Sequence, residues 1–136
     1  MQNRRHFLKS SLFVSGGAAL AISTPSLAAT NSLPNGIVYS TEKTGKWAGK
    51  EKGHVPTITV KGNQVTVQTF HPMSAEHYIV KHTLVTEDGE VLGEHLFAST
   101  DKAAISTYTV ETKNKTLFAT SFCNQHDFWV SKATKI

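Results

Sequence analysis

From residue 55 onward the chain alternates apolar and polar residues with period two, in short runs closed by turn residues. Thr57-Ile58-Thr59-Val60 stops at Lys61-Gly62-Asn63, and Gln64-Val65-Thr66-Val67-Gln68 follows. Tyr78 to Thr86 is a longer run, with Tyr78, Val80, His82 and Leu84 on one face and Ile79, Lys81, Thr83 and Val85 on the other. Glu87-Asp88-Gly89-Glu90 turns it into Val91 to Phe97. Ile105 to Glu111, Leu117 to Cys123 and Phe128-Trp129-Val130 complete the set. Period two is the repeat of a half-buried strand, and a helix of period 3.6 does not gather such residues on one face. About seven short strands, with no convincing helix, predict an all-β fold, an antiparallel β-sandwich.

Residues 1–28 stand outside that pattern and read as an export signal. The basic start Asn3-Arg4-Arg5-His6-Phe7-Leu8-Lys9 precedes an uncharged stretch from Ser10 to Leu27, and small residues at Ser26 and Ala28 suit cleavage after Ala28. The apolar part is short and rich in Ser and Gly for a membrane span, which needs about 20 apolar residues. The Arg-Arg-x-Phe-Leu-Lys run is similar to the twin-arginine signal, whose machinery exports folded proteins. The expectation is a periplasmic or otherwise exported product, free of the membrane after cleavage.

Without that leader 108 of the 136 residues remain, and they hold eleven lysines, no arginine and ten acidic residues. A net charge of one on that part argues against a nucleic-acid partner, which would want a basic face. Residues 29–50 are rich in Thr, Ser, Asn, Gly and Lys without a period and read as a loose N-terminal segment. Residues 51–136 are then the folded domain. A single cysteine excludes an intrachain disulfide and any site built of cysteines alone.

Chemistry-bearing residues collect where strands meet loops. His71-Pro72-Met73-Ser74-Ala75-Glu76-His77 puts two imidazoles six apart across a loop. Cys123-Asn124-Gln125-His126 puts a thiol and an imidazole three apart after a strand, and His54-Val55-Pro56 opens the first strand. Loops of a sandwich cluster at its two ends, so these segments can converge. Imidazole with thiolate suits iron, copper or zinc, whereas calcium and magnesium want carboxylates. A blue-copper site wants an axial Met close after its last His, and Met73 is the sole methionine beyond the leader. His82 and His95 lie within strands, away from the loop ends, and read as ordinary hydrogen-bonded or surface residues.

The run His71-Pro72-Met73-x-x-x-His77-Tyr78-Ile79, with Cys123-Asn124-x-His126-x-x-Trp129 and an upstream His54-Val55-Pro56, resembles the superoxide reductase family, which comprises neelaredoxin and the iron domain of desulfoferrodoxin. The resemblance spans residues 50–132. It implies an immunoglobulin-like β-sandwich and a mononuclear non-haem iron, cycling between Fe2+ and Fe3+. His54, His71, His77 and His126 would be equatorial ligands and Cys123 the axial one, with the sixth position open. It implies reduction of superoxide to hydrogen peroxide with an electron from an external donor that the sequence does not identify. Whether the chain forms a homo-oligomer is left open. So is a second reading, in which the same centre serves a non-enzymatic redox sensor or electron carrier.

Two positions depart from the family pattern. A Glu-Lys pair usually stands directly before the first histidine, where the lysine attracts superoxide and the glutamate can reach the oxidised iron. Here Gly53 separates Glu51-Lys52 from His54. On an extended segment a shift of one residue turns a side chain to the other face, whereas a bulge at the glycine would restore the reach of Lys52. Asp127 stands where the family commonly has glycine, and a carboxylate there could orient His126 or tune the metal. Lys43, Lys46, Lys50 and Lys52 precede His54 and form either an anion-steering cluster or a solvated loop.

Overall fold

The computed structural model describes residues 35–111 and 113–136. The leader expected over residues 1–28 lies outside the described residues, as does the start of the segment expected to be loose.

Two sheets form the sandwich. The smaller contains β2 (Thr57–Lys61), β3 (Gln64–Thr69) and β6 (Ala104–Thr109), in the order β2-β3-β6. The larger contains β1 (Val38–Tyr39), β4 (Ile79–Thr86), β5 (Val91–Leu96), β7 (Thr116–Cys123) and β8 (Asp127–Val130), in the order β1-β8-β7-β4-β5. A last short strand, β9 (Thr134–Lys135), pairs with β7. Neighbouring strands run antiparallel throughout, except that β1 lies parallel to β8.

Alternation drives the packing. Leu117, Ala119, Ser121 and Cys123 of β7 are buried in strict alternation with half-buried neighbours. Val65 and Val67 of β3 meet Leu84 of β4 and Leu117 and Ala119 of β7 to close the gap between the sheets. A second cluster of Ile79, Phe97, Ala104 and Cys123 continues the core toward one end. Burying a Val, Leu, Ile or Phe side chain is worth about 1.5–3 kcal/mol, so these clusters supply much of the fold's stability.

Four local expectations change. Over its described residues, 35–50, the segment read as loose is ordered: it forms β1, buries Tyr39 to 2% exposure and adds a 3-10 turn at Gly45–Trp47. Aromatic side chains inside a polar stretch, rather than a period, fix it to the sandwich. Nine strands are described instead of about seven, because β1 and β9 are two-residue strands too short to show a period.

In β4 the expected faces are mixed, since Ile79 is buried together with His82 and Leu84. The register slips between Ile79 and Lys81, so Val80 is the extra residue that brings Ile79 onto the inner face. Finally, one short helix, α1 (Glu51–His54), exists where only extended chain was expected. Val55 ends it with its amide on the Glu51 carbonyl (2.9 Å) and turns extended, as the residue before Pro56 must.

Sheet register brings the chemistry to one end. Thr57, at the start of β2, opposes Gln68 near the end of β3. Ile79, at the start of β4, opposes Cys123 at the end of β7. The segments carrying His54, His71, His77 and Cys123-His126 therefore leave the same end of the sandwich.

Candidate metal centre

Each donor is placed by a different element. His54 closes α1, and its Nδ1 donates to the Lys50 carbonyl at 2.8 Å. His71 follows β3, and its Nδ1 donates to the Pro72 carbonyl at 2.5 Å. With the proton held on Nδ1 in both, the inward Nε2 carries the lone pair. His77 ends a loop whose Ser74 hydroxyl accepts from the His77 amide at 3.1 Å. Cys123 is the last residue of β7, and His126 sits in the turn into β8.

The five donor atoms of His54, His71, His77, Cys123 and His126 all lie within 4.8 Å of one another. His126 Nδ1 is 3.1 Å from His54 Nε2 and 2.9 Å from His77 Nε2, and His71 Nε2 is 3.0 Å from His77 Nε2. A metal about 2.1 Å from each of two nitrogens at a right angle separates them by about 3.0 Å, so the spacing fits a shared ion. The ring centroids of neighbouring imidazoles are 4.4 to 4.7 Å apart around the cycle His54-His71-His77-His126. Across the diagonal, His54 and His77 are 6.1 Å apart. Four short sides and a longer diagonal describe a four-membered ring; a tetrahedral cluster would make all pairs alike. Cys123 Sγ stands 3.5 Å from His126 Nδ1 and 3.8 Å from His71 Nε2, on the side of the core cluster it belongs to.

Burial keeps three of the imidazoles in metal-binding form. Burial pulls His71 down to about 4, and the neighbouring imidazoles add to the effect. Burial likewise lowers His54 and His126, with the Lys50 charge contributing to both. Neutral imidazole is the form that ligates. Burial pushes the Cys123 thiol up, against the pull of the Gln125 and His126 amides; the Gln125 N–H donates to Sγ at 3.5 Å. A bound cation would displace that proton.

Around the donors, Asn124 and Gln125 tie the two loops together. Asn124 Oδ1 accepts from the Tyr78 amide at 3.0 Å, and the side-chain amides of Asn124 and Gln125 donate to the Glu76 carbonyl at 2.9 and 2.8 Å. Trp129 is fully buried beneath the site, its Nε1 donating to the His126 carbonyl at 2.7 Å. Trp47 was missed in the sequence: its ring meets His126 at 4.6 Å, edge to face. A tryptophan within an otherwise polar stretch was the available signal.

Glu51 and Lys52 are not drawn into the cluster. The Glu51 carboxylate accepts from the Gly49 amide at 2.9 Å, which is the main reason its proton affinity is low, and Lys52 is exposed. Neither alternative considered for an extended chain applies, because the segment is helical there. Asp127 does not touch His126 either; its carboxylate binds Trp47 and Lys46. His82 and His95 are outside the cluster, His82 being fully buried and His95 exposed.

The pattern of the desulfoferrodoxin family matches residues 45–132. A superoxide reductase of Thermococcus kodakarensis is 30% identical over 116 residues, which is 72% of this chain and 98% of that protein. A superoxide reductase of Pyrococcus abyssi is 33% identical over 111 residues, 68% of this chain and 94% of the relative. Among solved structures, the superoxide reductase from Treponema pallidum superposes with a TM-score of 0.53 at 31% identity, covering 62% of this chain and 69% of that one. Family pattern and relatives agree over the stretch that carries all five donors: the chain belongs to the desulfoferrodoxin family, the family of the superoxide reductases.

Proposed function

We propose that this protein is a one-iron superoxide reductase, which converts superoxide to hydrogen peroxide with one electron from an external donor and two protons. Family membership supports the activity, and the closed ring of four imidazoles with one sulfur against it carries the assignment of the centre. His54, His71, His77 and His126 would hold a mononuclear non-haem iron through nitrogen and Cys123 through sulfur, with a sixth position left to the substrate. When bound, the iron supplies the single electron, passing between Fe2+ and Fe3+.

This chain's residues set the conditions for that electron. Imidazole ligates in its neutral form, so a ferrous ion held with one thiolate would carry a single positive charge, which attracts an anion. The Gln125 amide on Cys123 Sγ withdraws density from the sulfur and tunes its donation. Two carbonyls, of Lys50 and Pro72, fix the rings of His54 and His71. Glu51 and Lys52 resemble the pair that the family sets beside the centre, and the steering of the anion falls to Lys52 by that resemblance or to Lys50 by its charge on His54 and His126. We place the protein outside the cytoplasmic membrane on the reading of residues 1–28.

Stopped-flow mixing of the reduced, iron-loaded protein with superoxide tests the activity. Near diffusion-limited, stoichiometric oxidation is expected. Oxidation little faster than with dioxygen would instead favour the sensor or electron carrier, to which the displaced Glu51-Lys52 pair also lends itself. Elemental analysis of protein from its native host should find one iron per chain, and zinc in its place would remove the redox role. Cys123→Ser should abolish the sulfur-to-iron absorption of the oxidised protein; a surviving band overturns Cys123 as a ligand.

A further inference from the structure

His54 and His71 each hold their ring by a hydrogen bond from Nδ1 to a backbone carbonyl. Among the described residues His126 has no such partner on its outer nitrogen, Nε2. What lies against its ring is Trp47, 4.6 Å away at an interplanar angle of 82°. Trp47 comes from the 3-10 turn at Gly45–Trp47, which shares no sheet with the site. Its indole N–H donates to Asp127 Oδ2 at 3.0 Å, and the Lys46 ammonium meets the same oxygen at 3.0 Å. Lys46 also lies over the Trp47 ring, 4.8 Å from its centroid.

Asp127 pays a conformational cost to be there. Its φ is 62°, in the left-handed region that side chains other than those of Asn and Asp rarely enter. Glycine would take this position without strain, but it has no group to bind the indole. We propose that Asp127 is a positioning residue: its carboxylate tethers Trp47, and the tethered indole orients the His126 imidazole toward the metal. The tether crosses 80 residues of sequence and stands in place of the carbonyl anchor that the rings of His54 and His71 possess. It acts on the same centre as the function proposed above and rests on that reading for its effect on iron.

The test compares full-length Asp127→Gly, Asp127→Asn and Trp47→Phe. Asparagine tolerates the same backbone and keeps an oxygen acceptor, so it separates the bond from the charge. In the metal-free chain, the NOE between the Trp47 and His126 rings should be present in the parent, lost in Asp127→Gly and retained in Asp127→Asn. In the iron-loaded chain, Asp127→Gly and Trp47→Phe should shift the rhombicity of the ferric EPR signal in the same direction, and the double variant no further. Asp127→Asn should match the parent. A retained NOE with an unchanged signal in Asp127→Gly overturns the proposal, and so does an Asp127→Asn protein as altered as Asp127→Gly. A chain that takes up no iron would refute the function proposed above, while the NOE would still decide the tether.

Discussion

Lys50 and Lys52 stand on either side of Glu51, yet their charges reach different groups. After burial, which dominates, and the neighbouring imidazoles, the Lys50 ammonium adds to the lowering of both His54 and His126, while that of Lys52 acts on Glu51. Lys50 caps α1 with a helical backbone and Lys52 lies within it, so the turn separates the two, where an extended chain would have set them on one face. Lys50→Ala should therefore slow the reaction of the reduced protein with superoxide by about 3- to 10-fold, and Lys52→Ala by less. Stopped-flow rates at low ionic strength measure this, and added salt should shrink the difference between parent and Lys50→Ala. Equal losses, or a larger loss at Lys52, would return the steering role to the residue suggested by resemblance. Lys46 contributes little to such a field, because Asp127 neutralises it at 3.0 Å. The five side chains that cluster were legible at this scale. Their residue types are rare enough, and their spacings specific enough, for pattern alone to pick out His54, His71, His77, Cys123 and His126. The neighbours that hold those rings were not legible, since backbone carbonyls such as those of Lys50 and Pro72 leave no mark in sequence.

Gly53 decides less in α1 than its place in the sequence suggests. Its φ is outside the left-handed region, and an added Cβ would meet only the Phe70 carbonyl oxygen, at an ordinary 3.6 Å. Gly53→Ala should therefore fold, bind metal as before and gain up to about 1 kcal/mol, the propensity difference of a helical position. Urea unfolding and iron content check it. A large loss of either would show that the segment needs glycine's freedom after all. A four-residue helix lies below the length at which a period of 3.6 can be read, which is why α1 escaped a pattern search. Strands β3 and β7 were legible, because burial there follows period two without interruption. In β4 the pattern broke at Val80, where one inserted residue turns the inner face from Val80 to Ile79 and sets Ile79 opposite Cys123.

Across the sandwich, His82 joins the two sheets. Its Nε2 and the Thr69 hydroxyl are 2.9 Å apart, its Nδ1 and the Ser106 hydroxyl 2.9 Å, and Thr69 also donates to Ser121 at 3.1 Å. Burial first, and the His95 charge second, hold His82 down to about 4. Because the unfolded chain has the higher pKa, it takes up the proton first as pH falls. Stability owed to neutral His82 is thus whole above about pH 6.5 and is lost toward pH 4, by up to about 3 kcal/mol. His82→Gln should flatten this fall relative to the parent, as read from urea midpoints across that window. Iron binds the folded arrangement and not the open chain, so stripping it with a chelator should lower Tm by at least about 5 °C. Sequence by itself determined the sandwich and singled out the five side chains that meet at its end, since alternation and ligand chemistry are properties of single residues and near neighbours. Tertiary structure alone decided the cyclic order of the imidazoles, the inter-sheet network at His82 and the approach of Trp47 to His126. Those depend on contacts between segments tens of residues apart, whose mutual position exists only once the two sheets have packed.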